Sequence, residues 1–128
     1  MKIKSLLVLL TLGMSACTGS KYAGVPKQYQ ELISQTMQTA GSNAKELKKA
    51  LKQTPTTQRE GMAFLISYMP ERDAKALTAD FLLENVDYAY KARAEFPWAK
   101  EVPNDIFLND VVAYVNLNEK RENWRKDF

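Results

Sequence analysis

Few residues in this chain have side chains able to do covalent or acid–base chemistry. Cys17 is its single cysteine, and it contains no histidine. Cys-His and Ser-His-Asp catalysis within the chain are excluded, because both need an imidazole to take the nucleophile's proton. Zinc sites built on histidine or thiolate fail on the same count, and an internal disulfide has no second partner. What remains is carboxylate chemistry. Glu84 and Asp87 lie one helical turn apart, but on a face expected to be solvated, so surface charge outweighs a paired-acid glycosidase site. No glycine-rich phosphate loop or internal repeat occurs, and no cofactor and no metal are expected.

Cys17 has its own context. Met1-Lys2-Ile3-Lys4 is a positive leader, and the apolar run from Leu6 to Leu12 is broken only by Thr11. That run is too short to span a bilayer permanently, so residues 1–16 are expected to be a signal peptide. The segment closes on Met14-Ser15-Ala16-Cys17, which matches the bacterial lipobox: a bulky apolar residue, two small ones, then cysteine. The thiol is expected to take a diacylglyceryl group and the new amino terminus, after cleavage, a further acyl chain such as palmitate. Each buried methylene contributes about 0.8 kcal/mol, so several chains anchor stably. An ordinary secretory signal cleaved near Ala16 is the competing reading. Residues 17–25 are small and polar enough for a lipidated, flexible tether. No aspartate follows Cys17, which under enteric-type sorting favours the outer membrane over the inner.

Setting aside the first 16 of 128 residues leaves 112, enough for one modest core. Losing Lys2 and Lys4 from 18 basic residues leaves 16 against 15 acidic ones, and the two signs alternate along the chain. A nucleic-acid partner is not expected, since such proteins gather their basic residues on one face.

The mature sequence reads as all-α: a small irregular bundle of about five helices over residues 26–128. Tyr29, Leu32, Ile33, Met37 and Ala40 share one face, with Gly41 as a stop. Asn43 with Glu46 has capping-box spacing, and Ala44, Leu47, Ala50 and Leu51 line the next helix until Thr54-Pro55. Its outer side carries Lys45, Lys48, Lys49 and Lys52, either a solvated face, the commoner use, or a membrane-surface patch. Thr57 and Glu60 make a second capping-box pair before Met62, Ala63, Leu65, Ile66 and Met69, with Pro70 ending the segment. Thr78 is the expected N-cap of a helix over 79–94, with Leu82, Leu83, Val86, Ala89 and Tyr90 inward. Phe96-Pro97-Trp98 predicts an extended, tightly packed corner. Pro103 then opens another helix burying Ile106, Phe107, Leu108, Val111 and Val112, followed by an extended link over 114–118 and a last polar helical turn or two over 119–127.

The run Phe96-Pro97-Trp98-Ala99-Lys100-Glu101-Val102-Pro103-Asn104-Asp105-Ile106-Phe107-Leu108, with Tyr114, Asn118-Glu119 and Trp124-Arg125 after it, resembles a region of transglutaminase-like lipoproteins of Bacteroides-type bacteria. There it precedes the catalytic domain. The helix ending in Tyr68-Met69-Pro70 is similar to the lead-in of those proteins, so the resemblance covers residues 29–128. It implies a papain-like core with a Cys-His-Asp triad for acyl transfer or amide hydrolysis. None of those positions exists here, and Cys17, consumed by lipidation, is no substitute. The chain is therefore expected to be the amino-terminal part of such a protein, inactive alone, with no catalytic residue to carry over. Trp98, Pro103, Phe107, Asn118, Glu119, Trp124 and Arg125 are the candidate surface for packing a catalytic domain, in the same or an adjacent chain. Equally open is that the aromatics fill this chain's own core and the charges are solvated. The alternative function is a self-contained small envelope lipoprotein acting as a protein-binding or assembly module. Continuation of this or an adjacent reading frame into a cysteine- and histidine-bearing segment discriminates the two.

Overall fold

The computed structural model describes residues 20–115 and 120–127. Among these the chain is all-α, a small helical bundle with no strand: α1 (Lys27–Ala40), α2 (Ala44–Gln53), α3 (Arg59–Ser67), a short α4 (Glu71–Ala74), the long α5 (Ala79–Glu95) and α6 (Asn104–Ile106). Helix α6 runs on without a break into a π-helical turn, Phe107–Val111. 3₁₀ turns occupy Gly41–Asn43, Thr56–Gln58, Pro97–Glu101 and Trp124–Asp127. Cys17, the leader before it, and Asn118 and Glu119 lie outside the described residues.

The apolar periodicity does what it predicts. Ile33, Leu47, Met62, Ile66, Leu82, Val86, Phe107 and Val112 are fully enclosed, so every helix except short α4 and α6 sends a large apolar side chain to one core. The buried core runs from Val25 to Tyr114. Gly41 ends α1 as expected, because its backbone takes φ 55°, a left-handed conformation in which a Cβ is strained.

Both expected capping boxes are absent, and in the first case the side chains are used further away. Asn43 makes no cap on α2; its amide donates to the carbonyls of Ala74 and Leu77, each at 2.9 Å. Glu46 accepts from the backbone N–H of Ala79 at 2.9 Å. Together they fix the turn into α5, whose own N-cap, Thr78, accepts from Phe81 N–H as its sequence predicts. The carboxylate of Glu46 also faces the positive end of that 17-residue helix. Thr57 sits inside a 3₁₀ turn and caps nothing, while Glu60 receives a 3.4 Å contact from Asn104.

Residues 20–25 are docked onto the body, in contrast to the flexible tether the composition suggests. The Gln30 side chain, reaching from α1, donates to Ser20 Oγ, Tyr22 O and Val25 O and accepts from Tyr22 N–H. Arg59 donates to Ala23 O, and Gly24 turns the chain there at φ 72°, with its α-carbon so close that a Cβ would stand 2.7 Å from the guanidinium.

Candidate functional site

Helix α5 provides the platform for everything after it. Its carboxyl-terminal half presents Tyr90 and Arg93, and Phe107 is held between them. The Tyr90 ring meets Phe107 edge-on at 5.0 Å, and the Arg93 guanidinium lies 4.2 Å from the Phe107 centroid. Arg93 also donates to Val102 O and Asn104 Oδ1, locking the chain that leads into α6. Tyr90 is placed in turn by α3: its hydroxyl accepts from Gly61 N–H at 3.2 Å, and a Cβ on Gly61 would fall 2.7 Å from its ring. Burial raises the Tyr90 phenol above its ordinary pKa.

Two buried polar residues then receive the end of the chain. Asp73, on α4, is 2% exposed, which makes its partners decisive. Tyr114 donates its hydroxyl to one carboxylate oxygen at 2.8 Å, and Arg121 grips both oxygens, each at 2.9 Å. This bidentate geometry is the strong form of an ion pair. Burial, then the hydrogen bond to Asp73, pushes the Tyr114 phenol well above its ordinary range. Asn85, in the middle of α5, donates to Val112 O at 2.6 Å and accepts from Arg125 at 2.8 Å. Arg125 spends its other donors on Val111 O and Ala113 O. The π-helical turn thus ends on carbonyls satisfied by an arginine and an asparagine, and a cation sits at its negative pole. Desolvation lowers the Arg125 pKa from its ordinary value.

The candidate packing residues are not one surface. Trp98 is exposed, stacked on exposed Phe96 with centroids 6.0 Å apart, and Pro103 is exposed near it at the far end of α5. Trp124 lies along the first half of α5, beside Phe81 and Tyr88, and its indole donates to Tyr114 O. Asn85 and Phe96 are eleven positions apart, about 16 Å along a helix, so the two tryptophans do not share a patch. Phe107 is 1% exposed and belongs to the core, and Arg125 turns inward as a clamp; neither is available to another domain. The corner at 96–98 is also not tightly packed, because it forms a 3₁₀ turn burying only Ala99. Ile106, expected inside, is exposed, since the π-helical turn shifts the inward register to Phe107, Leu108 and Val112.

Asp73, Asn85 and Arg121 carry the arrangement and were not singled out by periodicity. A polar residue in an otherwise apolar stripe is the signal that could have found Asn85; nothing local marks Asp73. Beside them an open groove of about 380 Å³ is lined by Phe64, Tyr68, Met69, Tyr114 and Arg121, with Tyr68 largely exposed at its edge.

Of the two acids one helical turn apart, Asp87 is part of a surface ion pair. Asp87 is bonded to Lys91 at 2.6 Å and to Gln58 at 3.2 Å, and the lysine holds its carboxyl below the usual range. Among the described residues no group of three or more metal-ligating side chains comes together, and no helix is long and apolar enough to cross a membrane. No family model, curated protein or solved structure matches the chain.

Proposed function

We propose that this protein is a lipid-anchored lipoprotein of the cell envelope, at the outer rather than the inner membrane. Its helical body is the amino-terminal scaffold of a transglutaminase-like protein, without acyl transfer or amide hydrolysis of its own. The lipobox at Cys17 supports the anchor, and the likeness of residues 96–108 to transglutaminase-like lipoproteins supports the scaffold role. The structural observation that carries the reading is the double clamp of Asp73 on Arg121 and Asn85 on Arg125. Buried charge adds little stability over well-packed apolar residues, but it fixes geometry. Here it holds Arg125, in the turn Trp124–Asp127, against α5.

The test has two arms. Metabolic labelling with an alkynyl palmitate marks the protein, and Cys17→Ser abolishes the label; a fully labelled Cys17→Ser protein would sink the anchor. Purified chain offered a glutamine peptide and an amine releases no ammonia, and release by the chain alone would sink the scaffold reading.

The self-contained module is favoured by one observation: Phe107, Val112 and Tyr114 complete this chain's own core and need no second domain. Under that reading Trp98 and Phe96 are the contact for a protein partner.

A further inference from the structure

The four lysines on the outer side of α2 are not equivalent once folded. Lys49 turns to Asp80 and pairs with it at 3.0 Å. Lys48 and Lys52 point the other way, into a pocket of about 240 Å³ that they share with Lys21 and Arg59. Its remaining lining is Tyr22, Ala23, Val25 and Leu51, so four cations surround an apolar floor and no carboxylate lines it. Neither Lys48 nor Lys52 is in a salt bridge among the described residues. The Arg59 guanidinium bonds only the carbonyls of Ala23 and Thr54, and its Nε is buried without an acceptor. Among the described residues the positive charge of this pocket is therefore uncompensated, in a mature chain close to neutral overall.

Ser20 and Tyr22 are stapled to α1 by Gln30, and Cys17 is three residues before Ser20. Three residues of fully extended chain reach at most about 11 Å. A lipid on Cys17 would hold the bilayer surface against the face of the body that carries Lys21, Lys48, Lys52 and Arg59.

We propose that this pocket is a second membrane contact: it docks on anionic phospholipid headgroups and sets the orientation of the anchored body. The lysines and Arg59 meet the phosphates, and the exposed sides of Lys48 and Lys52 give the contact its salt dependence. This inference rests on the lipidation of Cys17 for its placement, but the contact can be measured without the lipid.

The experiment uses the mature chain from position 17 with Cys17→Ser, which retains the whole core from Val25 onward. It is sedimented with vesicles of phosphatidylglycerol and phosphatidylcholine, and with phosphatidylcholine alone. Binding to the anionic vesicles only, weakened by salt, is expected. Lys48→Gln with Lys52→Gln should lower partitioning about 25-fold, about fivefold for each lysine, with unchanged thermal melting. Lys75→Gln with Lys100→Gln makes the same change in net charge away from the pocket and should leave binding intact. Equal binding to neutral vesicles, no binding at all, or equal loss in the two double variants would overturn the proposal. Loss of palmitate labelling at Cys17 would be seen separately, as failure of the anchor.

Discussion

Two aromatic segments follow α5, and they have opposite fates. Residues 96–101 place Phe96 and Trp98 in solvent, whereas residues 104–125 bury Phe107 and Tyr114 and cover one face of Trp124. Hydrophobicity does not separate them, since the first is at least as aromatic. The difference lies in what the bundle offers to each. Phe107 finds a ring edge and a cation on α5, and Tyr114 finds an acceptor for its hydroxyl on α4, while Trp98 stacks on the exposed ring of Phe96. A large ring with a polar end is buried where both needs are met.

The comparison breaks most severely at Asp73. Asp73→Asn replaces the buried carboxylate shared by Tyr114 and Arg121 with an amide that accepts through one of its two positions only. Denaturant unfolding should show a loss of about 3 kcal/mol, the upper end for buried hydrogen bonds to a charged group, and the segment from Tyr114 onward should become sensitive to protease. Gly61→Ala attacks the other support, driving a methyl group into Tyr90 and through it into Phe107. The expected cost is about 1–3 kcal/mol, read as a lower urea midpoint at constant slope.

Tyr114→Phe sharpens the contrast through pH. The folded state raises the phenol above its ordinary value of 10.0, so the native protein keeps the proton after the unfolded chain has released it. The stabilisation is complete below that value and declines as pH rises above it. Tyr114→Phe should cost about 1 kcal/mol at neutral pH and make alkaline unfolding less steep. Some slope remains from Tyr90, which shifts in the same direction. Trp98→Ala is the smallest change: within about 0.5 kcal/mol of the parent in the same unfolding assay, because the side chain is exposed.

The apolar faces of the helices up to the end of α5 were legible in the sequence because the information there is local. Spacing of Ile33, Leu47, Ile66 and Val86, the stop at Gly41 and the cap at Thr78 each act within a turn or two. Asn43 and Glu46 show where that ends. Their spacing is that of a local cap, yet the bundle brings the α4–α5 turn within reach, and buried backbone groups there have the stronger need. The same holds for Asp73 and Arg121, 48 positions apart, and Asn85 and Arg125, 40 apart; no window of sequence contains either pair. Phe107 and Arg125 were grouped with Trp98 as a surface because residue type alone does not say which way a side chain turns. A π-helical turn, one residue out of helical register, turned Phe107 inward and Ile106 outward.

Hydrogen exchange on the mature chain tests most directly whether the carboxyl-terminal segment is held as part of the body. The amides of Phe107 and Val112 are expected to exchange as slowly as those of α3, with fast exchange confined to the corner at 96–101, and Asp73→Asn is expected to loosen the last segment first. Fast exchange throughout, from Phe96 to Arg125, in the parent protein would contradict this.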